Sequence, residues 1–159
     1  MAVEIERKFL TASDAWRAAV ERSVEIKQGY LSRGARASVR VRISGGRAQL
    51  GIKSSRDGIH RLEFEYPIPL DEAETLLAEV AEGPYIHKTR HYLRHGTHLW
   101  EIDEFHGDNA GLVVAEVELA RADEPFERPS WLGREVSTDP RYFNSNLAHT
   151  PWTRWKDRP

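Results

Sequence analysis

The chain has 159 residues, 40% of them hydrophobic, which suits one domain over 1–159 with a single substantial core and argues against two. Charged residues make up 30% of it, yet the net charge is only −2. No global attraction to a polyanion such as DNA follows, and any electrostatic function must be local. The absence of cysteine excludes a disulfide framework, a thiol nucleophile and a thiolate zinc site.

The opening residues show no apolar run resembling a signal peptide, and no long apolar stretch follows. A soluble cytoplasmic protein, with neither membrane nor nucleic acid as partner, is the expectation. In chain order, Val3 to Leu10 alternates Glu4, Glu6 and Lys8 with Val3, Ile5 and Phe9, a two-residue period that predicts a strand. Ser13 to Arg22 reads as a helix with Ser13 at its cap and Trp16, Ala19 and Val20 on one face. Strands are predicted over Glu25–Ser32, Ala37–Ser44, Arg47–Ser54 and Arg61–Ile68. Asp71 to Glu82 predicts a helix from the capping-box spacing of Asp71 and Glu74 and the stripe Leu76, Leu77 and Val80, ending at Gly83-Pro84. Further strands fit Tyr85–Arg94, His98–Phe105 and Leu112–Arg121. The proline-rich tail allows only short helices, one near Arg141–Ala148.

Side chains two apart on a strand share a face. Glu4, Glu6 and Lys8 therefore stand together, as do Arg40 with Arg42, Glu63 with Glu65, Lys88 with Arg90, Glu101 with Asp103, and Glu116 with Glu118. A two-residue turn at Gly45-Gly46 sets Arg42 opposite Gln49, Arg40 opposite Gly51 and Ser38 opposite Lys53. A turn at His95-Gly96 sets Arg90 opposite Glu101 and Lys88 opposite Asp103. A turn at Asp57-Gly58 would instead place Lys53 opposite Leu62 and split the charges between faces, so an odd-length loop or a bulge is predicted there.

Any one of these pairs fits the wet face of an ordinary antiparallel sheet. The whole set fits it poorly, because like charges stacked two at a time repel and contribute nothing to folding. A closed barrel with helices outside and the charged face in its lumen accounts for it better. Lys8, Arg40, Arg42, Lys53, Lys88 and Arg90 suit phosphates, and Glu4, Glu6, Glu116 and Glu118 are hard oxygen ligands suited to Mg2+ or Mn2+. Together they are the ingredients of metal-assisted phosphoryl transfer.

On these residues the chain resembles the CYTH, or triphosphate tunnel metalloenzyme, superfamily. The carrying motifs run in order from Glu4-Ile5-Glu6-Arg7-Lys8 through Gln28-Gly29-Tyr30-Leu31, Val39-Arg40-Val41-Arg42, Ile52-Lys53, Glu63-Phe64-Glu65, Lys88-Thr89-Arg90 and Glu116-Val117-Glu118 to Asp139-Pro140-Arg141-Tyr142-Phe143-Asn144-Ser145-Asn146-Leu147-Ala148. The resemblance implies an eight-stranded antiparallel tunnel, a divalent metal, a linear triphosphate as the small-molecule partner, and a homodimer as a compatible assembly. It implies the cations above as phosphate ligands and Glu4, Glu6, Glu116 and Glu118 as metal ligands, with Glu63, Glu65 and Asp103 either joining the metal or orienting the lysines. Tyr30 matches a tyrosine proposed in short bacterial members as a proton acceptor, a role needing nearby cations such as Lys27 or Arg42 to lower its pKa of about 10. A buried aromatic with a tied hydroxyl is the plainer account. Ser54-Ser55 after Lys53 departs from the glycine common among relatives.

Inorganic tripolyphosphate is the expected substrate. Adenylate cyclase, hydrolysis of thiamine or nucleoside triphosphates, and a non-catalytic polyphosphate-binding module are the alternatives. His87, His91 and His95 point away from Lys88 and Arg90 and are expected as surface or packing residues, and Trp131, Trp152 and Trp155 as packing of the tail on the barrel.

Overall fold

The computed structural model describes residues 2–159. Its strands are β1 (Ala2–Thr11), β2 (Arg22–Arg33), β3 (Ala37–Ser44), β4 (Arg47–Ser54), β5 (His60–Ile68), β6 (Glu82–His95), β7 (His98–Phe105), β8 (Val113–Glu118) and β9 (Leu132–Glu135). Eight of them close into an antiparallel barrel in the order β5-β4-β3-β2-β6-β7-β8-β1, and pairing of β1 with β5 completes the ring. One edge of β1 is shared: Ala2 to Ile5 pair with β5, while Phe9 and Thr11 pair with the short β9. Sequence reasoning missed β9, whose four residues lie in a proline-rich stretch and show no alternation.

Registers at the hairpins separate what turn chemistry predicts from what it does not. At Gly45-Gly46 both glycines take positive φ, and Arg42 faces Gln49, Arg40 faces Gly51 and Ser38 faces Lys53, as expected. Between β4 and β5 the predicted irregularity is present, with Gly58 at φ 64° and Asp57 bridged to His60, so Lys53 pairs with Glu63 and the charges keep one face. The turn between β6 and β7 is displaced from the expected place. His95 pairs with His98, so the turn residues are Gly96-Thr97 and Arg90 lies opposite Asp103. A shift of two residues leaves every side chain on its original face, so the predicted Lys88–Asp103 and Arg90–Glu101 partners meet diagonally, at 2.8 and 2.7 Å.

Both predicted helices of the first half shorten. Ser13–Arg22 becomes a 3₁₀ turn over Ala15–Ala19, because β2 already begins at Arg22. Asp71–Glu82 becomes α1 (Leu70–Thr75) followed by a π-type turn over Leu76–Val80, entered through Pro69 with no side-chain cap. This segment buries Ala73 and Leu77 against Val41 and Ala48 on the outside of β3 and β4. Another outer cluster joins Phe9, Trp16, Leu93, Trp100, Val117 and Trp131.

The third cluster lies inside. Ile86, Phe105, Leu112 and Val114 close one end of the barrel against Val136, Tyr142, Leu147, Ala148 and Trp155 of the tail. The tail folds there as a 3₁₀ turn over Pro140–Tyr142 and the helix α2 (Asn144–His149). The expected polarity, apolar outside and charged inside, therefore holds for the middle of the barrel and is interrupted where the tail plugs it. Among the described residues no helix is long and apolar enough to cross a membrane.

Candidate active site

Above the apolar plug the lumen becomes basic. Lys8, Arg40, Arg42, Lys53, Lys88 and Arg90 all line one cavity together with Tyr30, Arg61, Glu6, Glu116 and Asn144. The six expected cations thus meet, although they come from β1, β3, β4 and β6. Lys88 is fully buried, donates to Asp103 at 2.8 Å and to Asn144 Oδ1 at 2.9 Å, and Arg90 donates twice to Asp103. Burial opposes ionisation of Asp103, but Arg90 and then Lys88 outweigh it and hold its carboxyl at about 2. Lys8 donates to the Tyr142 carbonyl and pairs with Glu116 at 3.3 Å.

Two arginines stand apart from this pairing. Arg40 is 5% exposed, makes no ion pair among the described residues, and its Nε has no hydrogen-bond partner. Its guanidinium lies over Gly51, where an added Cβ would come within 3.0 Å of Nη2, so glycine makes the seat. Arg42 donates from Nε to the Gln28 side-chain oxygen at 2.9 Å and also lacks a carboxylate. Burial, then the neighbouring Arg40 and Arg90 charges, lowers it to about 10. A buried guanidinium beside a half-buried one, neither with a carboxylate, is costly to fold and calls for an anion.

Further along, the lumen turns acidic. Glu4, Glu6, Glu63, Glu65, Glu101, Glu116 and Glu118 line a cavity of about 170 Å³ with Arg42, Lys53 and Arg90. Some of these carboxylates are already occupied. Lys53 bridges Glu4 and Glu63 at 3.1 Å each, Arg61 reaches Glu4 and Glu6, and Arg56 reaches Glu6. Others are not. Glu118 and Glu65 have no cationic partner among the described residues, and the register sets Glu6 directly opposite Glu118 and Glu101 directly opposite Glu116. Such facing like charges destabilise a sheet. Burial, then repulsion from Glu4, Glu6 and Glu63, raises Glu118, and burial with repulsion from Glu116, Asp103 and Glu6 raises Glu101 despite Arg90.

As the side chains stand, no three acidic or imidazole groups among the described residues converge on one point. The surplus of hard oxygen donors, two facing carboxylate pairs and the unpartnered Glu118 nevertheless fit a divalent cation, which would relieve the repulsion. Glu63 and Asp103, left open between two roles by the sequence, both sit on cations; Glu65 does not.

Lys27 is the expected residue that does not join. It alternates with Gln28 and Tyr30, projects outward, and borders an external groove with Glu25 and Glu74. Tyr30 does join, yet its pKa moves the wrong way for a base: burial raises it against the pull of Arg40, Arg42 and Arg61. Arg61 and Arg56 were missed. Arg61 had a signal, since it precedes Glu63 and Glu65 by the same period of two, whereas Arg56 sits in the irregular connection. Asn144 reaches Lys88 only because the tail plugs the barrel. The histidines face outward, with His87 on Glu25 and His91 on Glu104.

A comparison with known proteins fits this geometry, with the CYTH domain model matching residues 2–149. The chain belongs to the CYTH domain family. Two relatives are each named inorganic triphosphatase. The one from Acetivibrio thermocellus is 43% identical over 99% of this chain and 100% of its own. The one from Nitrosomonas europaea is 36% identical over 91% of this chain and 96% of its own. The crystal structure of the inorganic triphosphatase NE1496 superposes with a TM-score of 0.68 at 34% identity, covering 93% of this chain and 95% of that one. A Pyrococcus furiosus protein, at 16% identity with a TM-score of 0.59 over 76% of this chain and 80% of its own, shares the fold. In this CYTH chain the tunnel thus has an apolar plug, a basic centre and an acidic mouth, in that order.

Proposed function

We propose that this protein hydrolyses a linear triphosphate, inorganic tripolyphosphate in preference to an organic one, with Mg2+ or Mn2+, and releases phosphate. The observation that carries the reading is the buried Arg40 beside Arg42, two guanidinium groups without a carboxylate partner in the centre of the tunnel. A chain of phosphates supplies what they lack. The names of the two relatives support the same activity.

In this reading Arg40 and Arg42 clamp the non-bridging oxygens, with Lys8, Lys53, Lys88 and Arg90 around them, and Asp103 and Glu63 hold Lys88, Arg90 and Lys53 in place. Fixing donors in advance, in a site that excludes water, is the main source of phosphoryl-transfer catalysis. Glu4, Glu6, Glu116 and Glu118 would hold the metal, with Glu65 beside them. When bound, the ion would neutralise charge on the transferring phosphoryl group and favour ionisation of a water nucleophile. One tunnel unit over 1–159 and a cytoplasmic setting belong to the same proposal. So does a homodimer, for which the outward apolar side chains Val3, Leu62 and Tyr66 of β1 and β5 are available.

The test is a phosphate-release screen of tripolyphosphate, ATP and thiamine triphosphate with each metal. Release of phosphate from tripolyphosphate ahead of the other two is the expected result. Pyrophosphate with cyclic nucleotide from ATP would point to a cyclase, and tight binding without turnover in any metal would point to a binding module.

A further inference from the structure

We propose that Tyr30 presents its hydroxyl to the bound triphosphate as a hydrogen-bond donor, and that Gln28 is the positioning residue that sets this polarity. The inference deepens the triphosphate reading and rests on it.

The direction of the hydrogen bonds follows from Arg42. A guanidinium only donates, so the Gln28 atom at 2.9 Å from Arg42 Nε must be the amide oxygen. The amide nitrogen is thereby turned toward Tyr30, and Nε2 donates to the hydroxyl oxygen at 3.2 Å. Gln28 is fully buried, so no water competes for either bond. β2 makes the arrangement possible: Gln28 lies opposite Arg42 and Tyr30 opposite Arg40. Gly29 between them passes under Leu77 and Ala81, where an added Cβ would come within 2.8 Å of the leucine. The Gln28-Gly29-Tyr30 motif is thus one device, with its outer residue bare and its two inner side chains coupled.

Accepting from Gln28 is the only hydrogen bond the Tyr30 hydroxyl makes among the described residues, so its own O–H has no acceptor within the protein. The charges that act on the hydroxyl, Arg40, Arg42 and Arg61, are all donors. An acceptor must come with a ligand, and phosphate oxygens supply it. Burial also favours the protonated phenol, in keeping with a donor.

The test is Tyr30→Phe, which keeps the ring and removes only the hydroxyl. Calorimetric titration with tripolyphosphate in EDTA should show binding weakened about tenfold, as for loss of one hydrogen bond to a charged group. With Mg2+, the pH–rate profile should fall by a constant factor and keep its rising limb. Gln28→Glu gives residue 28 a carboxylate that accepts from both Arg42 and Tyr30, turning the hydroxyl away. Adding Tyr30→Phe to Gln28→Glu should then cost nothing more in affinity.

Unchanged affinity in Tyr30→Phe, or disappearance of the rising limb, would make Tyr30 a base or a bystander and overturn the assignment. A further tenfold loss in the double variant would remove the role given to Gln28. Wild-type protein that does not bind tripolyphosphate would sink the reading of the site and this inference with it, and is told apart by failing before any variant is made.

Discussion

The basic centre and the acidic mouth of the tunnel are built by the same means, alternate side chains of neighbouring strands, yet they balance their charges differently. In the centre, Asp103 and Glu101 together balance Lys88 and Arg90, while Arg40 and Arg42 are left without a counter-ion. At the mouth, Lys53, Arg61 and Arg56 occupy Glu4, Glu6 and Glu63, while Glu118 and Glu65 are left over. Each region holds a structural set that is already neutral and a surplus of one sign. The contrast teaches that charge pairing, more than charge identity, separates residues that hold the site from residues that await a ligand.

Substitutions on the two sides of that division should behave oppositely. Asp103→Ala leaves the buried Lys88 without a carboxylate and Arg90 with Glu101 alone, and should destabilise the fold by about 3–5 kcal/mol, read as a lowered denaturation midpoint. Arg40→Ala should instead leave the midpoint level or raised, while cutting tripolyphosphate turnover about a hundredfold or more in a phosphate-release assay. A large loss of stability in Arg40→Ala would show that Arg40 is structural and would break the comparison. At the mouth, Glu118→Gln should raise the half-saturating Mg2+ concentration about tenfold, the scale of one lost charge-assisted contact, with the metal-free protein no less stable.

The smallest effect is a pH dependence. Glu118 and Glu101 titrate above their ordinary value in the folded chain, so between that value and the folded one the folded state binds more protons and stability falls as pH rises. A divalent cation cancels that loss only where the carboxylates are ionised. The rise in melting temperature on adding Mg2+ should therefore be larger at pH 7 than at pH 5, and an equal rise at both would place the metal elsewhere.

Much of the site was legible because a strand's period of two admits no ambiguity about faces. Glu4, Glu6 and Lys8, or Arg40 and Arg42, must share a side whatever the barrel does. The Gly45-Gly46 register was equally legible, since two glycines at positive φ specify a tight turn. The Gly96-Thr97 turn lies one residue beyond the expected His95-Gly96, which moves the register by two, because His95-Gly96 offers a single glycine and the extra cross-strand pair at His95 and His98 is decided by the whole sheet. Lys27 was assigned by nearness in sequence to Tyr30, and the alternation that placed everything else puts it outside.

By itself the sequence determined which side chains travel together and which sign each strand carries, for alternation is a local property of extended backbone. Closure of β1 onto β5, insertion of the tail, the direction of the Arg42–Gln28–Tyr30 hydrogen bonds and the sorting of charges into paired and unpaired were decided only by the tertiary structure. These depend on distances between residues remote in the chain, as from Lys88 to Asn144 or from Arg61 to Glu4. No local pattern encodes such distances until the barrel has closed.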